Sequence, residues 1–231
     1  MPKVYPHKKF FQRPNIWLKN FLSFLFPPRC VRCGQIGIFL CEECLFRLSR
    51  NNELINDDIL AVFDYCDPSI KKAIRYLKYR GVLELSEIFG RELYQTFITA
   101  FSDEFLFETT RGKIVVIPVP LSRQRRRERG FNQAEELARH FCAFDPKSFE
   151  LRTDLIFKIK NTPSQVSCRK RSDRLQNLRD AFATSRRKKI TGKTILLIDD
   201  VTTTGATIGE IKKVLLKKGA HRVLAIVVAH G

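Results

Sequence analysis

The stretch TILLIDDVTTTGATIG, residues 194–209, carries an apolar run straight into two aspartates and then into a Thr/Gly-rich loop. The run reads as a buried parallel strand, expected to end where Asp199 and Asp200 begin. Three chemistries place two carboxylates there. A Walker B acidic pair requires a partner loop GxxxxGK[ST]. GKT does occur at 192–194, but Arg187 stands where the first glycine belongs, and the tripeptide precedes a strand instead of following one. A phospho-acceptor aspartate leaves the Thr/Gly loop unexplained. A sugar-phosphate site uses every part of the stretch. Adjacent aspartates accept hydrogen bonds from vicinal ribose hydroxyls and help hold Mg²⁺, while TTTGAT offers backbone N–H groups and hydroxyls to a phosphate at a helix N-terminus. Gly205 permits the tight turn that gathers those amides.

Outward from this stretch, ATIGEIKKVLLKKG reads as a helix stopped by Gly219, and HRVLAIVVAH as a last strand. Strand, helix, strand in that order is a right-handed parallel unit, which binds ligands at the carboxyl ends of its strands. Upstream, KIVVIPVP (113–120) is a second buried strand, followed by the basic loop LSRQRRRERG and a helix from about Asn132 to Phe141. Both loops are expected at strand ends and could face one crevice. Earlier still come a strand, ILAVFDY (59–65), and a helix, SIKKAIRYLKYRG (69–81). The helix sets Ile70, Ala73, Ile74 and Leu77 against Lys71, Lys72, Arg75 and Lys78 on its opposite side, and Gly81 stops it. A further helical stretch covers about 83–101. In 151–193, RTDLIFKI reads as a strand, and NTPSQVSCRKRSDRLQNLRDAF as a polar, basic loop leading to a short helix.

At 231 residues, 44% apolar and with 19 Phe, the chain has material for a real core. Its net charge of +18 is uneven. Residues 1–29 hold six Lys/Arg and no acid, and residues 151–193 hold thirteen Lys/Arg against three Asp. Clustering of that kind favours polyanionic partners: phosphorylated metabolites, nucleic acid or an acidic membrane. No apolar run reaches the length of a membrane span. IWLKNFLSFLF (16–26) is interrupted by Lys19 and Asn20 and lacks a signal-peptide cleavage pattern, so a cytoplasmic protein is expected. An amphipathic segment beside a basic tail packs on its own protein more often than on a membrane, although peripheral contact at the inner face of the membrane is compatible with it.

Seven cysteines argue against a pure disulfide framework. Four form CVRCGQIGIFLCEEC, that is Cys30-x2-Cys33, seven residues, then Cys41-x2-Cys44. Two CxxC turns closing on one tetrahedral ion make structural zinc the preferred reading over two local disulfides or a redox pair. A knuckle so small draws its stability from the metal.

LLIDDVTTTGAT resembles the phosphoribosyl-pyrophosphate (PRPP) loop of type I phosphoribosyltransferases. VIPVPLSRQRRRERGFNQAEELAR (116–139), TPSQVSCRKRSDRLQNLRDAF (162–182), KYRG (78–81) and FPPRCVRCG…LCEEC resemble a narrower group, the ComF family of phosphoribosyltransferase-like proteins, over nearly the whole chain from Leu22. The resemblance implies an α/β fold: a type I phosphoribosyltransferase-like parallel sheet flanked by helices, over residues 51–231, with 51–110 forming a hood. Residues 1–50 would carry the amphipathic segment and a small four-cysteine zinc knuckle. It also implies a role in DNA uptake during natural competence.

By position, Asp199 and Asp200 would hold the ribose hydroxyls, with Val201, Thr202, Thr203, Thr204, Gly205, Ala206 and Thr207 completing the PRPP loop around the 5′-phosphate. Leu121, Ser122, Arg123, Gln124 and Arg125 would take the pyrophosphate with its Mg²⁺. Gln165, Arg169, Arg171 and Arg174 would belong to a mobile loop closing over the site. If transfer occurs, it would be pentosyl transfer through an oxocarbenium-like transition state. No residue stands out as a base for an acceptor, and Cys30, internal to the zinc cluster, is no glutaminase nucleophile. The alternative is a non-catalytic module that binds single-stranded DNA through the same basic crevice, or an adaptor docking a competence helicase or membrane channel.

Overall fold

The computed structural model describes residues 27–51, 54–56, 58–101, 108–109, 112–160, 180–185 and 189–231. The chain divides into two compact units, Met1–Phe46 and Arg47–Gly231. In the first, the chain around Pro28–Phe39 closes a miniature hairpin through an Arg29–Ile36 antiparallel bridge, and a one-turn helix α1 (Glu42–Phe46) follows.

The second unit is built on a six-stranded sheet. Its strands are β1 (Leu54–Asn56), β2 (Ile59–Asp64), β3 (Ile114–Pro118), β4 (Phe149–Leu151), β7 (Thr194–Thr202) and β8 (Arg222–His230), in the order β1-β2-β8-β7-β3-β4. Only the β1–β2 pair is antiparallel; the other four pairings are parallel. β3, β7 and β8 bury nearly every residue, as strands covered on both faces must, which is why they read as continuous Val/Ile/Leu runs. Ile59–Asp64, within the stretch assigned to a hood, pairs in parallel with β8 in this central sheet.

Helices cover the sheet. α2 (Pro68–Arg75) starts at an Asp67 cap whose carboxylate accepts from Ser69 N–H, and continues without a break into a π-turn, Tyr76–Arg80, closed by left-handed Gly81. α3 (Glu84–Ala100) packs on α5 (Gln133–Phe144) through Tyr94, Phe97 and Phe141, whose rings meet edge to face, Phe141 with each of the other two, and Phe149 of β4 with Phe97 and Phe141. Gly90 allows the approach of these helices. A Cβ there would lie 2.5 Å from His140 Cβ and 3.2 Å from the Phe141 amide nitrogen. Gly90→Ala is therefore expected to destabilise the unit by about 1–3 kcal/mol, read as a lower urea midpoint at unchanged m.

Three expectations are corrected or extended. The stretch LSRQRRRERG is not a loop: Arg123–Arg129 is a helix, α4. Ser122 Oγ caps it by accepting from Arg125 N–H, left-handed Gly130 ends it, and arginine is a good helix former where packing imposes nothing. Second, the expected strand within RTDLIFKI is present but lies outside the main sheet. Only Ile156–Lys158 (β5) is extended, pairing antiparallel with β6 (Phe182–Thr184) in a separate ribbon. Main-sheet pairing goes instead to Phe149–Leu151. Third, β7 does not stop at the aspartates. It runs through them to Thr202, since Asp199, Val201 and Thr202 pair with Val227, Ala229 and His230 of β8.

Candidate functional site

Register brings the site together. Pro118 of β3 lies beside Ile198 of β7, and Val119 N–H donates to Ile198 O at 2.9 Å. The segments after both strands therefore leave the sheet side by side, at the carboxyl edge where parallel sheets bind ligands.

Because β7 continues through them, Asp199 and Asp200 point to opposite faces of the strand. Asp200 is buried, and its Oδ1 pairs with Lys78 Nζ at 2.8 Å, while its Oδ2 has no hydrogen-bond partner among the described residues. Asp199 Oδ1 accepts from the Asp200 N–H at 2.8 Å. Burial, and then the neighbouring charge of Asp200, push the Asp199 carboxyl up to about 7, against the pull of Lys78 and Arg129. For Lys78, burial works against the ammonium, but the Asp200 carboxylate outweighs it and its pKa is raised. Lys78 stands on the π-turn, and the next residue, Tyr79, lies under the guanidinium of Arg129 at 5.2 Å from the ring centre.

After β7, Gly205 is left-handed at φ 70° and heads α6 (Ala206–Lys217), its carbonyl accepting from Gly209 N–H. The His230 Nε2–H donates to Thr203 O at 2.8 Å in the tautomer that completes this contact. In a trans peptide the following N–H points opposite to the carbonyl, so the Thr204 N–H is turned away from His230. Thr202 is fixed likewise, its carbonyl accepting from Gly231 N–H at 3.1 Å.

On the β3 side, Pro118, Pro120, Leu121, Arg123 and Arg126 line a cleft of about 610 Å³, closed opposite by Ile156–Ile159. The residues 199–207 do not line it. Lys158 connects the two regions: burial, and then Arg125, lower its pKa, and Asp199 pulls the other way. Gln124 faces solvent and donates to Glu128 at 2.9 Å.

In the first unit, Cys30, Cys33, Cys41 and Cys44 bring their sulfurs within 4.8 Å of one another. Cys41 Sγ lies 3.8 Å from both Cys30 Sγ and Cys33 Sγ. A tetrahedron with Zn–S bonds of about 2.3 Å has an edge of roughly 3.8 Å, so the cluster fits a zinc ion and is far too open for disulfides. Burial alone would raise the Cys30 thiol, but the backbones of Cys41, Cys33 and Arg32 hydrogen-bond its sulfur and bring it down to about 6. Cys44 is pushed by burial up to about 12, a thiol that ionises only against a cation.

The family model of the phosphoribosyl transferase domain matches residues 104–231. Competence protein ComFC of Bacillus subtilis (strain 168) is 31% identical over 193 residues, which cover 82% of this chain and 72% of that protein. The chain belongs to the ComF family. Other relatives include Competence protein F of Haemophilus influenzae, 27% identical over 89% of this chain and 84% of that protein. The DNA utilization protein YhgH of Salmonella typhimurium is 30% identical over 84% of this chain and 80% of that protein. The expected family and fold class are both borne out: a mostly parallel sheet with flanking helices, and a four-cysteine cluster at its expected place.

In this ComF chain, then, Asp199–Thr207 and Leu121–Arg125 end neighbouring strands, although Arg123, Gln124 and Arg125 are helical. Gln165, Arg169, Arg171 and Arg174 lie outside the described residues, as does the amphipathic segment 16–26. Among the described residues, no helix is long and apolar enough to cross a membrane. Sequence reasoning missed Lys78, Arg129, Lys158 and His230. Lys78 carried one signal, its place at the head of KYRG, yet helical spacing assigned it to the solvent face.

Proposed function

We propose that this ComF protein binds PRPP, and the ribose 5-phosphate within it, at the carboxyl end of β7. The observation that carries the reading is the acid pair itself, with the buried Asp200 holding an unpartnered Oδ2 beside a Thr/Gly loop that opens α6. A carboxylate oxygen buried without a donor is costly unless a ligand supplies one, and a ribose diol supplies two. The loop Thr202–Thr207 takes the 5′-phosphate, with the Thr204 N–H among its donors. Leu121–Arg125 and Lys158 take the pyrophosphate, where Mg²⁺ accompanies the ligand and offsets its charge. Lys78 and His230 position the acid pair and the phosphate loop. Titration of PRPP with Mg²⁺ into the wild type and into Asp199→Ala/Asp200→Ala tests this binding. Micromolar binding in the first and none in the second is expected; equal binding, or none in either, refutes it.

One observation favours single-stranded DNA as a second partner. α4 holds five arginines and buries none of its residues, and Tyr79, 71% exposed, stacks with the last of them. An aromatic face flanked by cations accepts unpaired bases with little sequence preference. Oligothymidine affinity is expected to fall at least tenfold between 50 and 200 mM salt, as several phosphate contacts require, and to weaken in Arg126→Ala/Arg127→Ala. Binding indifferent to both changes removes DNA from the account.

A further inference from the structure

The acid pair arrives with its countercharge already in place. In an unbroken α-helix, Lys78 would share the face of Lys71, seven residues earlier, which is exposed together with Lys72 and Arg75. The wider π-turn Tyr76–Arg80 shifts that phase, and the Lys78 side chain is instead 18% exposed with its ammonium on Asp200 Oδ1 at 2.8 Å. Gly81, left-handed at φ 63°, with its N–H on Tyr76 O, makes this turn possible. Arg129, stacked on Tyr79, adds a second positive charge felt by both Asp199 and Lys78. Lys78 thus neutralises Asp200 at 2.8 Å, and the charges of Arg129 and Lys158 act on Asp199. A divalent ion placed on the pair would meet no net negative charge, and would have to displace a buried ammonium to gain Asp200 Oδ1.

What the arrangement leaves open among the described residues is the other oxygen of Asp200. Oδ1 of Asp200 is taken by Lys78, and Oδ1 of Asp199 by the following amide. Oδ2 of Asp200 is buried and unpartnered among the described residues. This free acceptor suits a ribose hydroxyl, which brings a proton to donate and no charge to neutralise.

We propose that Lys78 is a positioning residue that serves the acid pair as a built-in cation, so that the site holds ribose 5-phosphate without a divalent metal. The proposal rests on the reading of the pair as a ribose site. It separates the roles of the two ligand halves: any Mg²⁺ requirement belongs to the pyrophosphate of PRPP, and a nucleotide-like 5-phosphate lacking pyrophosphate binds equally well without it.

The test is calorimetric titration of ribose 5-phosphate into the full chain, in buffer freed of divalent ions by a chelating resin and in the same buffer with Mg²⁺. Wild-type affinity is expected to agree within about twofold between the two buffers. Lys78→Met is expected to bind at least tenfold more weakly without Mg²⁺ and to regain affinity when it is added, the ion entering the vacated place. Lys78→Arg should stay within about threefold of wild type. A merely structural ion pair would give no such metal dependence. Wild-type binding that requires Mg²⁺ overturns the inference and leaves the ribose site standing, as does a Lys78→Met protein that matches wild type in both buffers. Absence of wild-type binding in either buffer overturns both. Should Lys78→Met fail to fold, judged by its melting curve, the wild-type comparison alone decides.

Discussion

Asp199→Asn is expected to make the protein more heat-stable and less able to bind its ligand. The carboxyl sits at about 7 in the fold, against an ordinary value of 3.8, because burial and Asp200 disfavour its charge. A raised carboxyl binds its proton more tightly folded than unfolded. Its contribution is therefore complete below about pH 4, and is lost as pH rises to 7. At pH 8 the ionised group costs the fold up to about 4 kcal/mol, the full value of such a shift. Asparagine keeps the oxygen that accepts from the Asp200 amide and drops the charge. The gain in melting temperature should be absent near pH 4 and largest above pH 7. Ribose 5-phosphate affinity should fall roughly ten- to a hundredfold, as loss of a charged acceptor implies. A variant that is destabilised at pH 8, or that binds as wild type does, contradicts this view of Asp199.

Removal of a zinc ion from the four-cysteine cluster is expected to have the largest effect on stability. Besides its cysteines, the segment Pro28–Phe46 buries only Val31, Leu40 and Leu45, and the hairpin around Gly34 and Gly37 is short. Without a cation, Cys44 reverts to a thiol, and the tetrahedral arrangement loses what holds it closed. Structural zinc in comparable small sites supplies on the order of 10 kcal/mol. Chelation is expected to release one zinc per chain and to abolish amide-exchange protection in residues 28–46. The strands β3, β7 and β8 should stay protected. Cys41→Ser should reproduce the loss, since Cys41 Sγ lies 3.8 Å from two of the other ligands. No zinc in the purified chain, or protection that survives chelation, would falsify the assignment.

The legible parts of this protein were those whose local pattern and tertiary role agree. Buried parallel strands are continuous apolar runs, so β2, β3, β7 and β8 stood out, and CxxC spacing is a property of the ligand set itself. The carboxyl edge of β7 was legible because its acids and its Thr/Gly loop are contiguous. Lys78 was hidden because a π-turn shifts helical phase by part of a residue, which no fixed periodicity anticipates. His230 was hidden because its role is a single contact to a main-chain carbonyl across a parallel register. The arginine-rich segment looked like a loop for lack of an apolar face, although Ser122 and Gly130 supplied both ends of a helix. The strand within RTDLIFKI was legible, but its place in a separate ribbon was not, because three residues of mixed burial serve an antiparallel ribbon as readily as a main sheet.

A crystal structure of the full chain with ribose 5-phosphate decides where the sugar phosphate sits. A ribose hydroxyl is expected on Asp200 Oδ2, with the phosphate against the Thr204 amide and the N-terminal turn of α6. A sugar phosphate seated in the Pro120–Arg126 cleft, or a divalent ion bridging Asp199 and Asp200 where Lys78 now lies, would contradict it.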